Sequence, residues 1–250
     1  MNIALYGTGK MGQAIAQVAR QRGHTIALEV HAANAGASPK GMDVAIEFSR
    51  PEHAVANIRL CVEAGVPVVV GTTGWYDHLH EVQQVVAEKK GSVLWASNFS
   101  IGVNLFFRVN RLLAQLMDTQ AQYNVHLDEI HHIHKLDAPS GTAITLARDI
   151  DLRTQRYSGW KLKDQEQAQG RTDGHAPAPA PAPVEIQSER TGEVPGKHSV
   201  SWTSAADRII ITHEAFGRTG FSTGAVLAAE WLADPVQKRQ GLFTMEDVLG

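Results

Sequence analysis

Cysteine is almost absent from this sequence, since Cys61 is the only one among 250 residues. A single thiol excludes a disulfide within the chain, and such chains are typical of a reducing compartment. The first residues enter an apolar strand with no basic segment before it. We therefore expect no export signal and a cytoplasmic location.

Long apolar runs and basic clusters are also missing. No hydrophobic stretch approaches the about 20 residues that cross a bilayer, so we expect no membrane partner. The net charge is -3, and the Lys and Arg residues are not interleaved with aromatic residues, which form 6% of the chain. We therefore expect no nucleic-acid partner. The other fractions, 43% hydrophobic and 20% charged, suit a globular chain of one large or two small domains.

A glycine-rich turn follows the first predicted strand. Its sequence is Gly7-Thr8-Gly9-Lys10-Met11-Gly12, between an apolar strand at residues 2–6 and a helical pattern that extends to residue 21. In such a turn the first glycine allows the tight bend, the second lets a pyrophosphate approach the backbone, and the third lets helix and strand pack closely. The strand-turn-helix context predicts a dinucleotide site.

The second predicted strand, residues 25–30, bears on the choice of dinucleotide. Strands at this place usually end in an acid that binds the adenine ribose hydroxyls. The candidates are Glu29 and, two residues later on the same face, His31. If an imidazole replaces the acid, discrimination against a 2′-phosphate is weak, so NADH and NADPH both stay open.

Strands and helices alternate through the first half of the chain, which predicts a Rossmann-like, doubly wound parallel sheet. The loops Gly71-Thr72-Thr73 and Ala96-Ser97-Asn98-Phe99 each follow an apolar strand. Loops at the carboxyl ends of such strands lie where open α/β sheets bind ligands. Earlier in the chain, Ser49-Arg50-Pro51-Glu52 has the pattern of a capping box at a helix start.

The segment from Glu129 to Ala143 concentrates groups that can move a proton and bind an anion. If residues 125–135 form one strand, His131 and Lys135 lie on the same face. We predict that His131 is an acid or base and that Lys135 is its electrostatic partner.

The second part of this segment predicts a helix start. Asp137-Ala138-Pro139-Ser140 is rich in turn and N-cap residues, and a helical pattern opens at Gly141 and Thr142. The unpaired N–H groups of a first helical turn can bind a carboxylate or a phosphate.

Three simpler interpretations of this segment stay open. The histidines could be exposed side chains without a function, and Ser-Gly-Thr could be an ordinary helix N-cap. His132 with His134 could be half of a metal site. The ligand count for a metal is incomplete, because no Cys or Asp lies at ligand spacing. We therefore predict no metal.

The second half of the chain predicts another domain. A helix at residues 102–117 is apolar on nearly every face and should be buried. Strands at residues 184–190, 199–203 and 208–214 predict a mostly antiparallel sheet. The Ala-Pro tract at residues 176–183 packs no core, and we expect a surface excursion there.

With both halves in view, the chain resembles the 4-hydroxy-tetrahydrodipicolinate reductase, or dihydrodipicolinate reductase, family of the diaminopimelate route to lysine. The resemblance covers nearly the whole chain. It lies in Gly7 to Gly12, Gly71 to Thr73, Ala96 to Phe99, His131-His132-x-x-Lys135-x-Asp137-Ala138-Pro139-Ser140-Gly141-Thr142-Ala143, Gly192-x-x-x-Gly196-x-His198 and Gly224-Ala225.

This resemblance implies NADH- or NADPH-dependent reduction of a small dicarboxylate, with loss of water. His131 would be the acid/base, Lys135 a second proton donor or charge stabiliser, and His132, Gly141 and Thr142 the carboxylate binders. The glycine turn and the two loops would line the cofactor; these residues are Gly7, Thr8, Gly9, Lys10, Met11, Gly12, Gly71, Thr72, Thr73, Ala96, Ser97, Asn98 and Phe99.

The resemblance also implies an organisation in domains and subunits. Residues 1–100 would bind the dinucleotide, and residues 101–220 would bind the substrate and form a homotetramer. A carboxyl-terminal helix of about residues 221–250 would return to the first domain.

Two other functions stay open on the sequence alone. Another two-domain nicotinamide enzyme, such as an amino-acid or semialdehyde dehydrogenase, would share the first half but does not need the string from His131 to Thr142. A non-catalytic nucleotide-sensing domain would bind the cofactor and leave the histidines inert.

Overall fold

The computed structural model describes residues 1–163 and 181–250. These form two compact units, one of Met1–Asn104 with Arg218–Gly250 and the other of Leu105–Gly217. Most of the Ala-Pro tract, for which we expected a surface excursion, lies outside the described residues, but Ala182 and Pro183 already belong to a strand.

Helices and strands alternate along most of the described chain. In chain order they are β1 (Asn2–Tyr6), α1 (Lys10–Gln21), β2 (Thr25–Val30), β3 (Val44–Glu47), α2 (Pro51–Glu63), β4 (Val68–Val70), α3 (Leu79–Lys89), β5 (Ser92–Trp95), α4 (Ile101–Met117), β6 (Asn124–His131), α5 (Gly141–Asp151), β7 (Tyr157–Leu162), β8 (Ala182–Arg190), β9 (Lys197–Thr203), β10 (Arg208–Glu214), α6 (Thr219–Leu232), β11 (Gly241–Phe243) and α7 (Met245–Leu249). Short 3₁₀ turns lie at Ala32–Asn34 and Tyr76–His78.

The first unit has a six-stranded parallel sheet in the order β11-β5-β4-β3-β1-β2, which confirms the predicted Rossmann-like fold. Because side chains alternate along a strand, β1 supplies two cores. Ile3 and Leu5 join a cluster that contains residues of α1 and α6, whereas Ala4 and Tyr6 join one that contains residues of α2 and α3. Both faces of the sheet are therefore covered, as a parallel sheet requires.

The carboxyl-terminal residues complete this sheet. Strand β11 pairs with β5 in parallel, and the N–H of Gly241 donates to the carbonyl oxygen of Gly91 at 2.8 Å. The sequence pattern did not predict this strand, because three half-buried residues carry no detectable period.

The second unit has a mixed five-stranded sheet in the order β10-β9-β6-β8-β7, which confirms the predicted α+β character of this part. Strand β9 is antiparallel to β6 and β10, while β8 is parallel to β6 and β7. Strand β6 is central, and Val125, Leu127, Glu129 and His131 alternate toward its buried face. This alternation fixes which side chains of β6 can meet.

Helix α4 differs from the prediction. Val103 and Phe106 are buried, but a stripe of Leu105, Val109, Leu112 and Leu116 is exposed, with between 45% and 61% of each residue accessible. The expectation of a fully buried helix is therefore wrong for this face. Among the described residues, no helix combines the length and apolarity that a membrane crossing needs.

Candidate active site

The glycine turn of the first unit joins β1 to α1 with little spare room. Gly7 has φ +95°, and a Cβ atom there would lie 2.2 Å from the carbonyl oxygen of Phe48. A Cβ atom at Gly12 would lie 1.9 Å from the carbonyl oxygen of Gly7, whereas one at Gly9 would meet no atom of the described residues within 4 Å. The first and third glycines thus serve packing, and the second leaves open space beside the start of α1.

Phe48 brings the predicted cofactor loops together, although the sequence patterns did not predict this role. Its ring lies 5.5 Å from the ring of Phe99, and it also covers Gly71, where a Cβ atom would lie 2.1 Å from the ring. The loop after β4 and the loop after β5 therefore contact the ring of Phe48, while the glycine turn lies against its backbone carbonyl. An aromatic residue directly after β3 was the available signal.

Glu47, directly before Phe48 in the chain, is a buried carboxylate. Glu47 ends β3 and accepts hydrogen bonds from Ser49 and, at 3.3 Å, from the side chain of Asn57. Burial raises the pKa of Glu47, and these hydrogen bonds oppose the rise only in part. The predicted capping box is wrong, because Ser49 is bonded to Glu47 and the N-cap of α2 is Arg50, with no side-chain hydrogen bond.

The tip of β2 carries an imidazole. Glu29 forms an ion pair with Arg20 of α1 at 3.1 Å. His31 follows β2, and its Nδ1 atom accepts from the N–H of Ala33 at 3.3 Å. The carboxylate nearest the tip is therefore already paired within the protein.

In the second unit, β6 ends at His131, so the predicted strand through Lys135 is wrong in its last four residues. The partner strand β8 ends at Arg190, and the chain turns at Gly192, which has φ +50°. Without a partner strand, the chain after His131 turns as well, and the N–H of Lys135 donates to the carbonyl oxygen of His132 at 3.1 Å. His131 and Lys135 therefore do not share a strand face.

Lys135 nevertheless lies close enough to His131 for its ammonium group to lower the pKa of that histidine. The Lys135 Nζ atom donates to both carboxylate oxygens of Asp137, at 2.8 and 2.9 Å. The ammonium group lowers the pKa of Asp137 through this pairing. The His132 ring lies 5.8 Å from that of His134.

His131 is buried, with 7% of its surface accessible. Burial is the main cause that lowers its pKa to about 4, and His198 adds to this effect. Lys135 and Arg190 act in the same direction, and the negative charge of Glu129 opposes them. His131 is therefore neutral at pH 7 in the ligand-free chain.

Glu129 forms the centre of a polar cluster that the sequence patterns did not predict. Its Oε1 atom accepts from the N–H of Ser140 at 3.0 Å, from Ser188 at 2.7 Å and from Arg190 at 3.1 Å. Burial by itself raises the pKa of Glu129, but contacts with His198, Ser140 and Ser188 outweigh burial and hold that pKa well below its usual range. The available signal was an acid two residues before His131 on an alternating strand.

Three of these side chains also place possible metal-ligand atoms within 4.8 Å of one another, in Glu129, His131 and His198. The Arg190 guanidinium already bonds the same carboxylate. A metal cation at this place would meet that positive charge, so the cluster fits a hydrogen-bonded ion pair better than a metal site.

Helix α5 begins as predicted. The Ser140 hydroxyl accepts from the N–H of Ala143 at 3.2 Å and caps the helix. Among the described residues, no atom lies within 4 Å of a Cβ atom built at Gly141, so they leave the space before this helix start open. The first turn can therefore receive an anion beside the end of β6.

The family models and the sequence relatives agree on one family. A family model of the carboxyl-terminal part of dihydrodipicolinate reductase matches residues 102–249, and a model of the amino-terminal part matches residues 32–99. A 4-hydroxy-tetrahydrodipicolinate reductase of Christiangramia forsetii is 41% identical over 251 residues, which cover 100% of this chain and 98% of that protein. Another, of Chromobacterium violaceum, is 38% identical over 84% of this chain and 74% of that protein.

A solved structure supports the fold. The dipicolinate-bound dihydrodipicolinate reductase of Paenisporosarcina sp. TG-14 matches with a TM-score of 0.74 and 22% identity, over 98% of this chain and 97% of that one.

Proposed function

The chain belongs to the dihydrodipicolinate reductase family, and from this premise we propose how its residues reduce the substrate. It is an oxidoreductase with 4-hydroxy-tetrahydrodipicolinate reductase activity, in lysine biosynthesis by the diaminopimelate pathway. The product would be tetrahydrodipicolinate, formed with loss of water.

The first unit contains the nucleotide-binding part, and we propose that it binds NADH or NADPH. The pyrophosphate would lie against the open backbone at Gly9 and the start of α1. The loops Gly71–Thr73 and Ala96–Phe99 would line the rest of the cofactor around Phe48. Because the tip of β2 carries His31, we propose that both cofactors are accepted.

The second unit would bind the dicarboxylate substrate. His132 and the first-turn residues Gly141 and Thr142 would bind its carboxylates, with the ammonium of Lys135 as a balancing charge. Hydride transfer to C4 of a cyclic conjugated imine leaves an electron-rich enamine, which an acid must protonate at carbon. His131 would supply this proton, with Lys135 as a second donor or charge stabiliser.

The low pKa of His131 places a condition on this mechanism. A neutral imidazole cannot act as the acid, so His131 must gain a proton before the enamine is protonated. A substrate with two carboxylates favours the charged imidazolium, because nearby opposite charge raises the pKa of a histidine. Substrate binding would therefore be accompanied by proton uptake.

One observation carries the assignment of the substrate site. The buried carboxylate of Glu129 bonds the backbone of Ser140, the N-cap of α5, and lies 3.5 Å from the Nδ1 atom of His131. One buried carboxylate therefore bonds the backbone at the candidate anion site and lies beside the candidate acid, within one unit.

A spectrophotometric assay tests the function. Oxidation of NADH or NADPH that requires freshly generated 4-hydroxy-tetrahydrodipicolinate is the expected result. Oxidation with other carbonyl compounds would instead indicate a dehydrogenase, and cofactor binding without turnover would indicate a sensor.

We also propose that four copies assemble through the second unit, in a cytoplasmic homotetramer. Strand β10 is an edge strand, and Ile209 and Ile210 on it are both exposed, as is the apolar stripe of α4. Edges and apolar faces of this kind are usually covered in oligomers. Light scattering should give four times the mass of the chain, and Ile210→Glu should reduce that mass; a monomeric parent would contradict the proposal.

A further inference from the structure

We propose that Glu129 is a positioning residue, whose carboxylate holds the His131 ring with a protonated Nδ1 atom toward it and leaves Nε2 to exchange the proton with the substrate. The inference rests on the proposed role of His131 as acid. It adds the group that selects the tautomer of that histidine.

The geometry of β6 places the two side chains together. Residues two apart on a strand point the same way, so Glu129 and His131 share the buried face of the sheet. The Oε2 atom of Glu129 lies 3.5 Å from Nδ1 of His131. A Cβ atom built at Gly196 would lie 3.2 Å from Nε2. The two ring nitrogens therefore face different groups, and the glycine keeps the surroundings of Nε2 free of a side chain.

The charge state of Glu129 follows from its neighbours. Its Oε1 atom is surrounded by donors, namely the N–H of Ser140, the hydroxyl of Ser188 and the guanidinium of Arg190. Strand pairing supplies them, because Glu129 lies opposite Ser188 on β8 and opposite His198 on β9. A carboxyl group among such donors stays ionised and can only accept hydrogen bonds.

An ionised acceptor decides between the two neutral forms of the imidazole. With hydrogen on Nδ1, His131 presents a donor to Oε2. With hydrogen on Nε2, it would present a lone pair to a buried negative charge, which is unfavourable. The carboxylate therefore favours the Nδ1–H form.

His198 has another partner within reach. Its Nε2 atom lies 3.5 Å from Oε2 of Glu129 and 3.1 Å from the hydroxyl oxygen of Ser140. Its ring stands nearly perpendicular to that of His131, with centroids 5.0 Å apart. It can therefore bond Ser140, the cap of α5, as well as Glu129, and Oε2 of Glu129 is approached by both histidine rings at the same distance of 3.5 Å.

Nitrogen-15 NMR of the unaltered, ligand-free enzyme at pH 7 tests the tautomer without any substitution. We expect the His131 signals of a protonated Nδ1 and an unprotonated Nε2. An Nε2–H form would overturn the proposal. Because this measurement needs no turnover, it stays decisive even if the reductase assay fails.

Substitution tests whether the positioning matters for the reaction. Glu129→Gln presents an amide that can donate to Nδ1, so we expect a change to the Nε2–H form and a fall in kcat of at least about tenfold, as for other groups that orient a functional histidine. The affinity for NADH should be unchanged. In a protein that already carries His131→Asn, adding Glu129→Gln should lower kcat little further, because Glu129 acts through His131.

Two outcomes would count against the inference. An equal loss of kcat in both backgrounds would mean that Glu129 only supports the fold, and an unchanged kcat in Glu129→Gln would mean that the tautomer is unimportant. Glu185→Gln is the matched control, since Glu185 lies on β8 and forms an exposed ion pair with Lys161 at 2.9 Å. It should leave kcat unchanged. If Glu129→Gln does not fold, the NMR measurement on the parent decides.

Discussion

The backbone N–H of Ser140 donates to both carboxylate oxygens of Glu129, at 3.0 and 3.1 Å. The start of α5 is thereby fixed to the strand that ends in His131. The proposed anion-binding helix start and the imidazole proposed to move a proton thus lie beside the same buried carboxylate. In the proposed mechanism, this arrangement would let a short stretch of sequence serve both binding and proton transfer.

Substitutions at two glycines should affect cofactor binding and substrate binding separately. Within the part of the chain that the structure describes, a Cβ atom at Gly9 or at Gly141 meets no atom within 4 Å, so an alanine at either place should fold normally. Gly9→Ala should weaken NADH binding by at least about tenfold, because its methyl group occupies the approach of the pyrophosphate. Gly141→Ala should weaken inhibition by pyridine-2,6-dicarboxylate to a similar extent.

Each of these variants controls for the other. Gly9→Ala should keep the affinity for the dicarboxylate, and Gly141→Ala should keep that for NADH, as measured by fluorescence titration. Unchanged NADH affinity in Gly9→Ala would remove the cofactor from the glycine turn.

Lys135 should contribute to substrate binding through its charge. Loss of a charge-assisted hydrogen bond costs about 1.5–3 kcal/mol, so Lys135→Met should raise the inhibition constant of pyridine-2,6-dicarboxylate about ten- to hundredfold and lower kcat. Lys161→Met removes an exposed, ion-paired lysine of the same unit and should change neither value. Inhibition that is unchanged in Lys135→Met would count against this role.

The tip of β2 should accept both cofactors. We expect kcat/KM for NADH and NADPH to agree within about tenfold, because His31 bears no negative charge to repel a 2′-phosphate. His31→Asp should lower the value for NADPH by at least about tenfold and spare that for NADH, since like charges in contact are strongly unfavourable. Glu29→Gln should not change the preference between NADH and NADPH, because Glu29 is paired with Arg20. A changed preference in this variant would indicate that Glu29, and not His31, contacts the adenine ribose.

Acid should destabilise the fold partly through Glu129. Its pKa is held below the usual value, so its ionised form stabilises the folded chain above the ordinary pKa of a glutamate, about 4.3. This contribution is lost as the pH falls below that value toward the folded-state pKa. Urea unfolding between pH 6 and pH 3 should therefore show a steeper loss of stability for the parent than for Glu129→Gln.

Glu47 provides the opposite control for this pH dependence. Burial raises its pKa, so its contribution is fully present below the ordinary pKa and is lost as the pH rises through the folded-state value. Relative to Glu47→Gln, the parent should lose stability as the pH increases. If both glutamates changed the free energy of unfolding in the same direction as the pH rises, this account would be contradicted.

Local patterns predicted much of the fold and the candidate site. The glycine turn, the Ser140 cap and the alternating strands and helices are properties of neighbouring residues, and the structure contains all of them. The prediction for residues 132–135 failed because a strand needs a partner, and β8 ends at Arg190. The exposed stripe of α4 was missed because an apolar pattern does not show which faces other residues cover.

The polar cluster could not be predicted for a different reason. Glu129, Ser188 and His198 lie on three strands and meet through the register of β6 with β8 and β9. That register depends on pairing between residues far apart in sequence, which no local period reports. Phe48 contacts Gly71 and Phe99 for the same reason, since the order of strands in the sheet decides its neighbours.

The most direct test of the central claim follows two hydrogens in one reaction. Reduced nicotinamide cofactor deuterated at C4 of its ring is mixed with freshly generated substrate and with the parent enzyme or His131→Asn. For the parent we expect one deuterium at C4 of the product and one solvent hydrogen at the adjacent carbon. We expect His131→Asn to bind NADH normally and to turn over at least about a hundredfold more slowly, which is the scale of a lost general acid. The control His126→Asn, a change on the opposite face of β6, should behave as the parent. Equal turnover by the parent and His131→Asn, or a product without cofactor deuterium, would contradict the account.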